Sequence, residues 1–282
     1  MHEQEPSRSI RQACQVLSVN RAWYYQAHAV GPSGTSTRTT EVALREAIEE
    51  VVLEFPAYGY RRVTHALQRQ GWQINHKRVL RVMREESLLC QLKRRFVTTT
   101  DSRHGLPGYD NLLAGRELSA PNQAWVADIT YIRLPEDFVY LAAVLDAYSR
   151  RCVGWQLSRH IDTQLTLDAL NRALACRQIG PGLIHHSDHG VQYASLDYVE
   201  RLQSVQARIS MAAVGNPYEN AKAESFFKTL KREEVYLNEY RSFEEAQANL
   251  AHFIDEVYNR KRLHSSLGYL PPEEFEAPLL PQ

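Results

Sequence analysis

The stretch "QAWVADITYIRLPEDFVYLAAVLDAYSRRCVGWQLS", residues 123–158, decides the fold. It contains three runs rich in β-branched and aromatic residues, and "PED" between the first two is typical of a turn. These runs predict three meandering strands. Further along, "GLIHHSD" and "ARISM" predict two more short strands, with helices between and after them. The sequence therefore predicts a mixed five-stranded α/β sheet with flanking helices.

Two aspartates occupy unusual places in these strands. Asp128 lies inside the first apolar run, between Ala127 and Ile129, and Asp188 ends "GLIHHSD". An unpaired buried carboxylate is costly, so each should pair, accept hydrogen bonds or hold a cation. Sites in α/β folds lie where strands open into loops, and Mg²⁺ prefers oxygen ligands. The pattern predicts a magnesium site at one edge of the sheet.

A third carboxylate is sought in "NPYENAKAESFFKTLKREEV", residues 216–235, which holds four glutamates. On a helical wheel only Glu224 lies at the rim of the apolar face, open to a cleft. The competing interpretation is an ordinary exposed set of residues spaced four apart, and geometry alone leaves both open. Glu233 and Glu234 are predicted to be surface charges, and Glu219 precedes the helix without an assigned role.

The first part of the chain is basic and helical. Residues 1–104 carry 16 Lys and Arg against 10 Asp and Glu, whereas residues 105–282 carry 17 against 23. Two amphipathic segments, "YGYRRVTHALQRQ" and "HKRVLRVMREE", are joined by "GWQI", and this spacing is typical of a helix-turn-helix. A three-helix packing module with a solvated basic face is the alternative. The predicted DNA contacts are Asn75, His76, Lys77, Arg78 and Arg81.

Composition limits the remaining classes. The longest apolar run, residues 138–145, is far shorter than a membrane span, and the four cysteines are scattered, as in a reducing cytoplasm. Residues 97–119 lie in a stretch rich in Gly, Pro, Thr and Ser, which marks a linker. We therefore expect a helical DNA-binding region at 1–96, a linker at 97–119 and a catalytic core with a helical tail at 120–282.

The ordered blocks around the carboxylates identify a resemblance. Asp128, Asp188 and Glu224, with 35 residues between the last two, stand within "WVADITYI", "HHSDHGVQYAS" and "SMAAVGNPYENAKAESFFKTLKRE". With "YNRKRLHSSLGYLPPEEF", these blocks resemble OrfB-type transposases of bacterial insertion sequences, which have an integrase Asp-Asp-Glu core. The resemblance implies a ribonuclease H-like core that uses two Mg²⁺ or Mn²⁺ ions, held by the triad, for strand cleavage and 3′-OH strand transfer.

The resemblance also implies partners. These are double-stranded DNA of the element ends and of the target, further copies of the chain, and an upstream-frame OrfA protein or fusion. It places the chain in the bacterial cytoplasm, associated with the nucleoid. Further candidates for phosphate contact are Lys228, Lys231, Arg260, Arg262 and His264.

Two rival functions belong to other classes. A zinc hydrolase built on "HHSDH" would need histidine at position 184, where the chain has Ile184. A regulatory relative that binds element ends without chemistry stays open, although every triad position is filled.

Overall fold

The structure is a computed structural model that describes residues 34–90, 108–212 and 220–279. Its contacts divide the chain into two compact units, residues 1–50 and 51–282. Helix α1 (Gly34–Glu54) runs across that division. No helix in the described part of the chain is long and apolar enough to cross a membrane.

The second unit contains the sheet. Its strands are β1 (Ala124–Arg133), β2 (Phe138–Asp146), β3 (Cys152–Ser158), β4 (Ile184–Ser187) and β5 (Arg208–Met211). The strand order is β3-β2-β1-β4-β5; the first three strands pair antiparallel, and β4 and β5 run parallel to β1. The predicted mixed five-stranded sheet is therefore confirmed.

Helices connect and cover the strands. They are α4 (Thr163–Cys176), α5 (Leu196–Ser204), α6 (Ala221–Leu230), α7 (Phe243–Ala251) and α8 (Pro272–Glu276), after α2 (Tyr60–Arg69) and α3 (His76–Glu85) in the basic segment. Two π-helical stretches, Lys231–Val235 and His252–Lys261, extend α6 and α7. A 3₁₀ turn forms at Ser265–Leu267.

Alternation along β1 creates a core on each face of the sheet. Because successive side chains of a strand point to opposite faces, Val126 packs with Phe226 of α6, whereas Trp125 packs with Leu165 of α4. Gly154 on β3 allows α4 to approach closely, since a Cβ there would overlap the carbonyl oxygen of Ala169. The sheet is thus buried on both faces, so side chains that act on a substrate must lie where strands end or open into loops.

The basic segment forms the predicted helix pair. Gly71 ends the turn after α2 with a φ of +93°, a conformation that glycine adopts without strain. The Asn75 side chain caps α3 by accepting a hydrogen bond of 2.9 Å from the Lys77 N–H. The predicted cap and both helices are confirmed.

The helix pair packs on the C-terminal segment. The Leu263 N–H donates to the Tyr58 hydroxyl at 2.8 Å, and the rings of His65 and Tyr269 stack with centroids 3.6 Å apart. These contacts join α2 and its flank to residues that follow the second π-helical stretch.

Candidate active site

Strand register brings the two aspartates together. The parallel pairing of β1 and β4 aligns Val126 with His186, so Asp128 lies two residues further along β1 and Asp188 lies one residue beyond the end of β4. Neighbouring strands of a sheet are about 4.8 Å apart. Asp128 and Asp188 therefore lie close together where β4 ends beside the middle of β1, and the charge of Asp188 acts on Asp128.

Local hydrogen bonds orient both carboxylates. The Ile129 N–H donates to Oδ1 of Asp128 at 2.8 Å, and the Gly190 N–H donates to Oδ1 of Asp188 at 3.0 Å. A Cβ at Gly190 would lie only 3.0 Å from that same oxygen. Glycine at this position leaves room for the aspartate beside the backbone.

Helix α6 presents the third carboxylate. Its buried side chains are Ala223, Phe226, Phe227 and Leu230, and Glu224 stands exposed beside this apolar face. Asn220 is the N-cap residue directly before the helix, and its buried side-chain amide donates to the Ala127 carbonyl at 3.1 Å. That bond fixes the start of α6 against β1, one residue from Asp128, and Glu224 lies one turn further on.

The electrostatics of Asp128 connect the three acids. Burial raises the pKa of Asp128 to about 8, and the neighbouring charges of Asp188 and Glu224 contribute to the rise, while the Ile129 N–H and Lys231 oppose it. Burial also lowers the pKa of Lys231, whose ammonium lies 4.5 Å from the centre of the Tyr131 ring. Asp128 thus lies within the electrostatic reach of both other carboxylates.

Such a site suits a divalent cation. Among the described residues, no three His, Cys, Asp or Glu side chains are already grouped closely enough to hold a metal ion. Burial is the main cause of the raised pKa of Asp128, and repulsion from the charges of Asp188 and Glu224 adds to it; a bound cation would relieve both effects. Because Mg²⁺ and Mn²⁺ prefer carboxylate oxygens, Asp128, Asp188 and Glu224 fit the ligand set that such ions require.

Comparison with known proteins identifies the family. The integrase core domain family matches residues 119–217 and again 205–272, and an HTH-like domain family matches residues 40–96. Transposase InsF of insertion sequence IS3A from Escherichia coli K12 is 38% identical over 95% of this chain and 94% of its own length. The chain belongs to the IS3 transposase family.

Two further proteins are similar to this chain. A 31 kDa protein of insertion element IS600 from Shigella sonnei is 36% identical over 93% of this chain and 96% of its own. A simian T-cell lymphotropic virus intasome chain aligns with 83% of this chain and 76% of its own, at 16% identity and a TM-score of 0.49. With the family and the strand order established, the predicted ribonuclease H-like fold class and the Asp-Asp-Glu transposase class are confirmed.

The predicted helix-turn-helix contacts of this IS3 family member face outward. Asn75, His76, Lys77 and Arg81 are exposed and Arg78 is partly buried. Arg81 also lies 3.8 Å from Glu85 on the same helix. Four of the five predicted contacts are thus accessible at the start and along the exposed surface of α3, and their contact with DNA stays a prediction.

The C-terminal candidates for phosphate contact differ from one another. Arg260 is exposed but pairs with Glu256 and Glu273 at 2.6 and 3.0 Å. Arg262 and His264 are both buried, so neither lies on the open surface, and their contact with phosphate stays a prediction. Lys228 is exposed on α6, as predicted.

Glu233 is not the surface charge that the sequence predicted. Its carboxylate, 9% exposed, accepts hydrogen bonds from Arg262 at 2.7 and 2.8 Å and from Arg62 at 3.1 Å. The prediction failed because Arg62 of α2 and Arg262 of the C-terminal segment cover this face of the helix, and a wheel drawn for one helix contains no information about such long-range packing. Glu234 is likewise engaged, since it accepts a hydrogen bond from the Tyr240 hydroxyl at 2.9 Å. Glu219 lies outside the described residues.

Proposed function

We propose that this chain is a DNA transposase that cleaves and joins strands at the ends of a bacterial insertion sequence. The observation that carries the proposal is that Asp128 within β1 lies close enough to Asp188, just after β4, and to Glu224 on α6 for both charges to act on it. Carboxylate-held metal pairs are suited to in-line displacement at phosphorus.

Asp128, Asp188 and Glu224 would hold the two Mg²⁺ or Mn²⁺ ions. Bound there, the ions would neutralise the phosphate and activate the entering and leaving oxygens. The chain's own part is to fix the ligands: the Ile129 and Gly190 N–H groups orient the two aspartates.

Two reactions use the same site. In cleavage, a water oxygen bonds to phosphorus, the P–O3′ bond breaks, and the element end is left with a 3′ hydroxyl. In strand transfer, that hydroxyl oxygen bonds to a phosphorus of target DNA and the target's own P–O3′ bond breaks. One phosphodiester replaces another, so no external energy source is needed.

The rest of the chain would bring DNA to this site. We assign DNA contact to the exposed face of α3 and to Lys228 and Lys231 on and after α6. Residues 1–96, 97–119 and 120–282 remain our proposed division into DNA-binding region, linker and catalytic core. Joining two element ends requires several copies, and an upstream-frame protein is a further proposed partner in the bacterial cytoplasm.

Strand cleavage and joining on oligonucleotides that carry the element ends test the proposal. With Mg²⁺ or Mn²⁺ the wild-type protein should nick and join, and Asp128→Asn, Asp188→Asn and Glu224→Gln should each abolish both steps. Glu200→Gln, a matched change of an exposed glutamate on α5, should keep them. Triad variants with wild-type activity would show that the site is elsewhere.

A further inference from the structure

A basic pocket opens beside α6, away from the carboxylate site. It encloses about 270 Å³. We define it by the residues that line it and carry the argument: Arg62, Arg150, Lys222, Ser225, Thr229 and Arg262. These residues come from α2, the β2–β3 loop, α6 and the segment after the second π-helical stretch, so folding assembles the pocket from four places in the chain.

The pocket carries an excess of positive charge. Its described lining contains four Lys or Arg side chains and no acidic one. One carboxylate, Glu233, lies behind it and bridges Arg62 and Arg262. Asp146 also acts electrostatically on Lys222, but its oxygens accept hydrogen bonds from the N–H groups of Asn122, Tyr148 and Ser149. The two carboxylates therefore leave the four cations only partly balanced.

Arg150 and Lys222 are the cations that have no acidic partner at close range. Neither forms an ion pair with any residue that the structure describes. Burial lowers the pKa of both groups, and the charge of Arg150 lowers that of Lys222 further. Arg150 also has a φ of +65°, a costly conformation for a residue with a side chain. Strained residues beside uncompensated charge are typical of binding sites.

The lining indicates which anion fits. Guanidinium groups, an ammonium and the hydroxyls of Ser225 and Thr229 suit the tetrahedral oxygens of a phosphate. A volume of about 270 Å³ is at the lower limit for small-molecule sites, so it accepts a phosphate with part of its sugar. The Tyr258 ring of the lining is buried, and the Arg262 guanidinium lies over it 5.8 Å from its centre, so it offers no free face on which a base would stack.

Helix α6 separates this pocket from the carboxylate site. Lys222, Ser225 and Thr229 are spaced three and four apart, so they share one face of the helix. Glu224 and Lys228, also four apart, lie on another face. A phosphate in the pocket is therefore not the one that reacts. Arg62 belongs to α2, so a strand held there contacts the helix pair and the core together.

We propose that the basic pocket binds one non-reacting backbone phosphate of the DNA on which the transposase acts. This inference rests on the proposed function, because that function supplies the DNA. Phosphate contacts of this kind carry no sequence information and set the position of the strand.

Salt dependence of DNA binding tests the proposal. The probe is a duplex carrying the terminal repeat of the insertion sequence, in EDTA, with affinity followed by fluorescence anisotropy from low to moderate NaCl. The double variant Arg150→Gln/Lys222→Gln should bind about tenfold more weakly and lower the slope of log K against log salt by about 0.9, the value for one phosphate. Ser225→Glu, at an exposed position, should weaken binding similarly, whereas Ala248→Glu on α7 should not.

A second measurement locates the phosphate. Single methylphosphonates, which are neutral, are placed in turn along the duplex. One position should weaken binding to the wild-type protein and make no difference to the double variant, whose circular dichroism should match the wild type. An unchanged salt slope in both pocket variants, or a methylphosphonate penalty that persists in them, overturns the proposal.

Two further outcomes distinguish a DNA phosphate from free phosphate as the ligand, and a failure of this inference from a failure of the proposed function. If ³¹P NMR shows that the wild-type protein binds orthophosphate saturably while the pocket variants keep the wild-type DNA slope, the pocket serves free phosphate and the proposal is wrong. If the wild-type protein does not bind the terminal repeat at all, the proposed function fails and this inference fails with it.

Discussion

Replacing Asp128 by asparagine should stabilise the metal-free protein while abolishing its chemistry. Burial and the charges of Asp188 and Glu224 raise the pKa of Asp128 from an ordinary 3.8 to about 8. The folded state therefore keeps a proton that the unfolded chain has already lost. Between these two values the free energy of unfolding must fall as pH rises, because the folded state binds more protons.

The size of the change in the free energy of unfolding follows from the difference between the folded and unfolded pKa values of Asp128. A change from 3.8 to about 8 corresponds to an upper bound of about 6 kcal/mol at 1.36 kcal/mol for each pKa unit. Asp128 is only partly buried, and water at the open site screens the carboxylates, so we expect about 2 kcal/mol. The amide oxygen introduced by Asp128→Asn can still accept a hydrogen bond from the Ile129 N–H, so the substitution removes the charge and keeps that contact.

Urea denaturation in EDTA from pH 3 to 8.5 measures this prediction. Asp128→Asn should match the wild type below the unfolded-state pKa of 3.8, and its advantage should grow as pH rises above that value, to about 2 kcal/mol at pH 8.5. Excess Mg²⁺ should narrow the gap, because a cation between the carboxylates stabilises only the wild type. Asp110→Asn, at an exposed position, is the control. A wild type whose stability does not change with pH, or a less stable Asp128→Asn at pH 8.5, would refute the reasoning.

Two further predictions concern other charges. Glu233→Gln should lower the free energy of unfolding by about 3 kcal/mol at pH 7, since it leaves two arginines without their carboxylate. Burial raises the pKa of Glu233, but its arginine partners outweigh burial and the pKa is lowered overall. The stabilisation by Glu233 should therefore be lost as pH falls into the acid range. Urea denaturation of Glu233→Gln at several pH values, with Glu244→Gln as the control, measures this loss. In the helix-turn-helix, replacing Lys77, Arg78 and Arg81 together with alanine should weaken DNA binding and flatten its salt dependence in anisotropy titrations. An unchanged slope of log K against log salt would contradict their role in phosphate contact.

Local pattern was enough to predict the sheet and to single out two of the three proposed ligands. Alternation along residues 123–158 fixes which side chains of β1 face each core, and an aspartate inside such a run stands out without any other information. Glu224 was different. The helical wheel placed it at the rim of the apolar face, but only the spacing and the neighbouring blocks distinguished it from an ordinary surface glutamate.

The pairing of the arginines could not be predicted in this way. Whether a cation is free depends on the carboxylates near it in the folded chain, and those are distant in sequence: Glu233 is 29 residues from Arg262 and 171 from Arg62. The packing of α2 on the C-terminal segment is equally long-range, as in the ion pair of Arg69 with Glu274 at 2.6 Å. Periodicity records the faces of one element and contains no information about which other element covers them.

Glu233 shows how such long-range pairing determines the character of a surface. Buried arginines need compensation, and one carboxylate shared between Arg62 and Arg262 gives each guanidinium hydrogen bonds while neutralising only one of the two charges. Had each arginine its own acid, the charges of Arg62 and Arg262 would both be neutralised, and only Arg150 and Lys222 would favour an anion. Because a single acid serves both, the guanidiniums are held in place and the pocket remains positive.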